Sequence, residues 1–110
     1  MTQEVSIDDF QKLDIRIGTV VKVEVPSWSH WVYKLTVDLG NEIGKRTIFA
    51  GVMGHYKPEE LEGKQFPFVV NIKPKKIGPE GDTSLGMMLA CEQPVLLSPL
   101  DKVPNGTKVS

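Results

Sequence analysis

The strongest constraint on the fold is a long stretch of alternating apolar and polar residues. In residues 13–25, Asp14, Arg16, Lys22 and Glu24 fall between apolar positions that recur at every second residue. This period of two, with many β-branched side chains, is typical of a strand that buries one face. Gly18 within the run predicts a bulge or a sharp bend, as barrel strands often require. The stretch therefore predicts a long, curved β-strand.

Four more core strands follow from similar patterns. They are predicted over residues 33–39, 46–52, 65–73 and 84–91, with a short final strand at 95–97 and a loop at 74–83. Pro67 predicts an edge or a bulge in the fourth strand, because proline has no N–H to donate. Pro58 and the acids after it begin a short helix between the third and fourth strands. Ser6 is expected to cap another short helix before the first strand.

Five core strands with one helix between the third and fourth predict an all-β fold. The expected architecture is a five-stranded OB-fold, a Greek-key barrel, with short N- and C-terminal extensions. An SH3-like barrel or a small sandwich remains as an alternative, because the pattern does not fix the order of the strands. The length of 110 residues fits one domain, residues 1–110.

Composition narrows the function classes. A net charge of −1 excludes a surface coated with basic residues. The one cysteine, Cys91, cannot form an intramolecular disulfide and lies in an apolar stretch, which predicts a buried thiol and a cytoplasmic, reducing environment. No apolar run reaches the roughly 18 residues of a membrane span, so no membrane partner is expected.

Residues that could carry catalysis are sparse. His30 and His55 lie far from each other and from the cysteine in sequence, without the spacing of metal ligands. Glu59, Glu60 and Glu62 are better explained as charges at a helix N-terminus. No glycine-rich phosphate loop is present. We therefore expect no enzyme, no catalytic residue, no cofactor and no metal.

The charges are unevenly distributed along the chain. Residues 64–76 contain four lysines and no acid, whereas residues 1–14 contain four acids and one lysine. Lys73, Lys75 and Lys76 lie where the last two core strands are joined, a connection that borders the nucleic-acid face of OB-folds. The lysines are candidates for phosphate contact, and the alternative is a solvated loop.

Two tryptophans lie in the loop on the other side of the predicted face. Trp28 and Trp31 are candidates for stacking on bases or for contact with a peptide, and either could instead pack in the core. Met87 and Met88 are adjacent in the fifth strand, so one should face the core and the other should be exposed.

Motifs along most of the chain resemble the tRNA-binding OB-fold domains. The matching segments are residues 9–18 (DFQKLDIRIG), 37–40 (VDLG), 56–64 (YKPEELEGK), 71–77 (NIKPKKI), 84–90 (SLGMMLA) and 103–106 (VPNG). This family includes domains of methionyl- and tyrosyl-tRNA synthetases, the endothelial monocyte-activating polypeptide II module, stand-alone structure-specific tRNA-binding proteins and CsaA-type secretion chaperones. Residues 26–33 depart from the usual family pattern and lack its Asp–Lys pair.

The resemblance implies a homodimeric, stand-alone protein that binds folded tRNA by shape and backbone. By matching position, it implies tRNA contacts from Arg16, Asn71, Lys73, Lys75, Lys76, Ser84 and Met87. Residues 38–44 look more like the chaperone branch, which implies a second hypothesis, the binding of unfolded or signal-bearing peptides. A third hypothesis is an assembly module that docks onto an aminoacyl-tRNA synthetase. Exposed apolar edges of a barrel this small also favour dimerisation.

Overall fold

The centre of the fold is an antiparallel sheet that curls into a nearly closed barrel. A computed structural model describes residues 3–110, so residues 1 and 2 of the predicted domain lie outside the described residues. The strands are β1 (Ile15–Glu24), β2 (Tyr33–Asp38), β3 (Lys45–Ala50), β4 (Gln65–Val69), β5 (Lys75–Ile77), β6 (Asp82–Ser84), β7 (Met87–Met88), β8 (Ala90–Cys91), β9 (Val95–Leu96) and β10 (Lys108–Val109). The helices are α1 (Ile7–Gln11), α2 (Gly40–Ile43) and α3 (Pro58–Leu61).

The strand order of the main sheet is β3-β2-β1-β4-β7, and β10 also pairs with β1. Across the remaining gap, hydrogen bonds join β3 to residues 84 and 85, which lie just before β7 at the other end of the sheet. The Leu85 N–H donates to the Thr47 carbonyl over 2.9 Å, and the Phe49 N–H donates to Ser84 Oγ over 3.0 Å. Leu35, Ile48 and Phe68 are fully buried inside the barrel. The predicted all-β, OB-like barrel is confirmed.

Strand β1 is nearly as long as predicted, but its alternation follows the prediction only in part. Ile15 and Ile17 are buried, whereas the buried positions then shift to Gly18 and Val20, and Val21 is 41% exposed. The irregularity in its pairing is not at Gly18. The pairing of β1 with β2 shifts register between Val20 and Lys22. Gly18 instead lies where the barrel wall is tightest, because a Cβ atom there would be 2.7 Å from the side chains of Val37 and Leu39. The prediction of a bulge or bend was therefore right for strand β1, but it was wrong in placing the irregularity at Gly18.

Strand β4 differs most from its prediction. It ends at Val69, and every residue from Gln65 to Val70 is buried, so the strand has no solvent-facing side. Strands β1 and β7 flank it on either side, which corrects the expectation that Pro67 marks an edge. The Pro67 carbonyl accepts a hydrogen bond from Leu89, beyond the end of the short β7. A missing N–H is tolerated there because the ladder with β7 has already ended.

The region after β4 is more divided than its pattern predicts. The expected loop at 74–83 contains the hairpin of β5 and β6, and the expected fifth strand is split into β6, β7 and β8. Cys91 is exposed, because β8 pairs only with β9 in a hairpin outside the main sheet. The expectation of a buried thiol was therefore wrong.

The two predicted helices, α1 and α3, form where their caps indicate, whereas α2 was not predicted and has no side-chain cap. Ser6 Oγ accepts the Asp9 N–H at the start of α1, as expected. At α3, Pro58 occupies the first turn and the Glu60 carboxylate accepts the Lys57 N–H. Between residues 3 and 110, no helix has the length and apolarity needed to cross a bilayer.

Candidate nucleic-acid interface

A groove lies between the loop that follows β1 and the β5–β6 hairpin. Its volume is about 560 Å³. It is lined by Trp28, Trp31, Val32, Lys75, Lys76, Ile77, Gly78 and Pro79, and we call it the lysine–tryptophan groove. The two segments that sequence patterns placed on either side of a nucleic-acid face are thus neighbours. An ion pair between Lys34 of β2 and Asp82 of β6, at 3.5 Å, joins the hairpin to the barrel.

The two tryptophans have different environments. Trp28 is partly buried, and its ring lies 6.2 Å from the ring of Phe49. Gly78 passes so close to it that a Cβ atom at that position would be 2.3 Å from the indole. Trp31 is 61% exposed. Trp28 therefore forms part of the packed wall of the groove, as the core alternative predicted, while Trp31 remains free to contact a ligand.

The lysines of the predicted site are exposed and unpaired. Lys73 lies in the connection between β4 and β5, and Lys75 and Lys76 lie on β5. The ion pairs among residues 3–110 use Lys12, Arg16, Lys22 and Lys34 as their cations, and none of them uses the three lysines. Their charges are therefore available to an anionic ligand such as a phosphate backbone.

Met87 borders a second, adjacent cavity. This cavity is lined by Phe49, Ala50, Gly51, Val52, Met87, Met88, Ala90 and Pro94. Met87 is 44% exposed, whereas Met88 packs against the core, as the alternation predicted. Because Phe49 also packs on Trp28, apolar surface continues from the lysine–tryptophan groove to Met87.

Arg16 lies in a separate cluster that we call the polar anchor, formed by Asp14, Arg16, Glu42, Asn71 and the Gly106 carbonyl. Arg16 Nε donates to Asp14 over 2.7 Å, and Nη1 donates to Glu42 over 2.8 Å and to the Gly106 carbonyl over 3.1 Å. Hydrogen bonds to Asp14 and then Glu42 raise the pKa of the Arg16 guanidinium. The cation is thus neutralised within the fold.

The amide of Asn71 and the hydroxyl of Ser84 are also engaged within the fold. Asn71 Oδ1 accepts the Asp14 N–H over 2.8 Å, and its Nδ2 donates to the Lys12 carbonyl over 2.7 Å. Ser84 is 7% exposed, and its hydroxyl donates to the Gly86 carbonyl while accepting from Phe49. Asn71 thus fixes the start of the β4–β5 connection, and Ser84 fixes the backbone between β3 and β7.

Several contributors to the groove were absent from the sequence prediction. Gly78 and Phe49 both pack against Trp28, and Lys34 forms an ion pair with Asp82 of the hairpin. In each case the partner is distant in sequence. The positive φ of Gly78, 75°, agrees with the Pro- and Gly-rich composition that predicted a loop there. Within residues 3–110, His, Cys, Asp and Glu form no group of three that could hold a metal ion.

The sequence was then compared with those of known proteins. Residues 15–108 match the family described as "Putative tRNA binding domain". The chain belongs to this tRNA-binding domain family. The match includes the lysine–tryptophan groove and most of the polar anchor, and it confirms the family resemblance of the motifs.

Relatives of the domain are found in larger proteins. The methionine–tRNA ligase of Archaeoglobus fulgidus is 47% identical over 110 residues, which cover 97% of this chain and 16% of the ligase. That of Pyrococcus furiosus is 43% identical, over 97% of this chain and 15% of the ligase. The chain thus spans only about a sixth of the length of such ligases.

Solved structures with the same fold cover the whole domain. The chaperone CsaA of Bacillus anthracis has a TM-score of 0.89 and 35% identity, covering 98% of this chain and 100% of that one. The methionyl-tRNA synthetase-related protein of Pyrococcus horikoshii has a TM-score of 0.87 and 37% identity, covering 99% and 100%. Because the chain belongs to this family, it is a module of the tRNA-binding type. The catalytic part of the ligases lies outside the aligned region.

Proposed function

We propose that residues 1–110 form a single non-catalytic module that binds folded tRNA by its shape and backbone, in the cytoplasm and as a homodimer. The observation that carries the proposal is a group of three exposed lysines beside the lysine–tryptophan groove, none of which forms an ion pair among residues 3–110. Lys73, Lys75 and Lys76 would contact phosphates, and Met87 would supply an apolar contact. Arg16, Asn71 and Ser84 would position this face through their internal hydrogen bonds.

A local cluster explains how a chain with a net charge of −1 would bind a polyanion. Three cations within four residues would displace counterions from about three phosphates, and each phosphate steepens the salt dependence of the logarithm of affinity by about 0.7 to 0.9. In the polar anchor, Arg16 bonds to both Asp14 and Glu42, so one of these two negative charges is balanced within the fold.

The test is a titration of bulk tRNA with the purified protein at several salt concentrations. Lys73→Glu combined with Lys75→Glu should weaken binding about a hundredfold at low salt, for every tRNA species, because two phosphate contacts become repulsive. The matched control is Lys57→Glu with Lys64→Glu, which makes the same charge change at exposed lysines that lie outside both residues 73–76 and the groove. Equal losses in the two double variants, or no tRNA binding by the parent protein, would overturn the proposal.

Homodimerisation is supported by an apolar cavity where β10 joins β1. Its lining includes Ile17, Pro67, Leu97, Val103 and Val109, and Leu97 and Val109 are exposed. Burying such a surface against a second copy is favourable. Leu97→Asp should therefore convert a dimer into a monomer in analytical ultracentrifugation. A parent protein that sediments as a monomer would contradict this part of the proposal.

Peptide binding, suggested by the similarity to the chaperone CsaA of Bacillus anthracis, is the competing function. Unpaired lysines favour a polyanion over an unfolded peptide of mixed charge, which would gain little from them. Suppression of aggregation of a denatured client, without any tRNA affinity, would favour the chaperone. Co-purification with a synthetase would favour the third hypothesis, an assembly module.

A further inference from the structure

The lysine–tryptophan groove combines an exposed indole with two cations. We infer that it receives an unstacked nucleobase from a single-stranded segment of RNA, which stacks on Trp31 while Lys75 and Lys76 contact the flanking phosphates. This inference rests on the proposed function and adds the class of RNA element that the groove selects. Trp31 lies outside the motifs that carry the family resemblance, in the loop that departs from the family pattern.

The lining favours a nucleotide on two grounds. It offers apolar and aromatic surface from Trp28, Trp31 and Ile77 together with the ammonium groups of Lys75 and Lys76. None of the described lining residues is acidic. The nearest carboxylates along the hairpin are Glu80, which is exposed just after the lining residue Pro79, and Asp82, which is paired with Lys34. A nucleotide carries a flat base and an anionic phosphate side by side, which matches this pairing.

The exposed position of Trp31 distinguishes single strands from duplexes. The faces of bases in a duplex are covered by their neighbours, so an indole can stack only on a base that has left the stack or lies in a loop. A duplex would contact the lysines alone. Trp31 should therefore contribute to binding of single-stranded RNA and be neutral for a duplex.

The walls of the groove are preformed. Trp28 is held between Phe49 and the backbone at Gly78, and the Lys34–Asp82 ion pair joins the hairpin to β2. A ligand would therefore need to order little besides the lysine side chains and Trp31, which lowers the entropic cost of binding. This rigidity suits a defined slot for one base better than an adaptable surface.

The test uses three labelled probes: an oligoadenylate of about eight nucleotides, a blunt RNA duplex of the same length and bulk tRNA. Trp31→Ala should weaken binding of the oligoadenylate about tenfold, because one stacking contact is lost. Trp31→Phe should restore most of the affinity. His30→Ala is the matched control, since His30 is exposed in the same loop without lining the groove, and it should change nothing.

Fluorescence locates the contact. Trp28→Phe leaves Trp31 as the only tryptophan, so quenching by the oligoadenylate but not by the duplex would report stacking on Trp31. If Trp28→Phe does not fold, the test rests on the Trp31→Ala variant, whose altered residue is on the surface. Its affinity for the labelled probes is then measured by fluorescence anisotropy.

Three results with the oligoadenylate, the duplex and a peptide would overturn the inference, and so would a fourth with tRNA. The first three are an unchanged oligoadenylate affinity in Trp31→Ala, an equal loss for the duplex, and quenching of Trp31 by an unfolded peptide but not by the oligoadenylate. tRNA binding that depends on Lys73 and Lys75 but not on Trp31 would overturn this inference and leave the proposed function intact. Absence of tRNA binding by the parent protein would overturn the proposed function, whatever Trp31 does.

Discussion

The polar anchor and the lysine–tryptophan groove differ in what their polar groups are bonded to. In the polar anchor, Arg16 bonds to two carboxylates and a carbonyl, and both ends of the Asn71 amide bond to backbone. In the groove, Lys75 and Lys76 have no ion-pair partner among residues 3–110, and Trp31 is largely exposed. The charged groups of the polar anchor bond to one another and stabilise the fold, whereas the lysines of the groove remain available to a ligand.

This contrast shows why a shared motif does not identify a ligand contact by itself. Arg16, Asn71 and Ser84 match family positions, yet their hydrogen bonds hold the barrel together. A residue can recur because the fold requires it or because the ligand does. Substitutions separate the two roles, since a structural role changes the free energy of unfolding and a contact role changes affinity and its salt dependence.

Gly78→Ala should have the largest effect, and it should distort the lysine–tryptophan groove without changing the hydrogen bonds of the polar anchor. The new methyl group would lie 2.3 Å from the Trp28 indole in a backbone with φ of 75°. We expect a loss of about 3 kcal/mol in the free energy of unfolding, measured by urea titration, and weaker tRNA binding. Gly81→Ala is the control, because its φ is 78° but nothing lies within 4 Å of the added Cβ. Equal losses in both variants would show that contact with Trp28 is unimportant.

Arg16→Ala should lower the free energy of unfolding by about 2 kcal/mol, because Asp14 and Glu42 lose a charged hydrogen-bond partner. The slope of tRNA affinity against salt should not change, since this cation is already neutralised. Lys22→Ala removes an exposed cation of the same strand and should have little effect on stability. A slope reduced by about 0.7 to 0.9 in Arg16→Ala would instead make Arg16 a phosphate contact.

Asn71→Ala should cost about 1 kcal/mol, because two hydrogen bonds to the backbone of residues 12 and 14 are lost at an exposed position. Thermal unfolding measures this loss, with the exposed Asn41→Ala as the control. Loss of tRNA affinity at unchanged stability would move Asn71 from the polar anchor to the binding face.

Lys76→Ala should have the smallest effect, a few-fold loss of tRNA affinity with a salt slope lower by about 0.7 to 0.9. Stability should not change, because the ammonium group has no partner within the described fold. A clear drop in melting temperature would mean that this lysine also serves the fold, and the contrast between the two regions would weaken.

The barrel could be predicted from sequence because alternation depends on local pattern. Strand β2 buries every second residue over its whole length, so its pattern was informative. Strand β1 does so only over residues 15–17 and, in shifted phase, over residues 18–20, which was enough to indicate a strand. Strand β4 was mispredicted in extent because it is buried on both faces, and Ile72, which lies within the predicted strand of residues 65–73, is 43% exposed beyond its end. Burial on a second face depends on segments distant in sequence.

The candidate site was predictable only in part, for the same reason. Charge clustering located Lys73, Lys75 and Lys76, and the loop position of the tryptophans placed them across the face. Their division into a wall residue, Trp28, and an exposed one, Trp31, depends on Gly78 about fifty residues later in the chain. The pairing of Arg16 with Gly106, 90 residues apart, has no local signal.

That last contact has a consequence for how the barrel forms on the ribosome. Residues 106 and 107 supply the partners of both backbone groups of Ile17, and Val109 pairs with Ile15. At about 5 to 20 residues per second, residue 106 is synthesised roughly 5 to 20 seconds after residue 16. During that interval β1 lacks these hydrogen-bond partners. Strand β1 can therefore form all of its hydrogen bonds only after residues 106–109 have been translated.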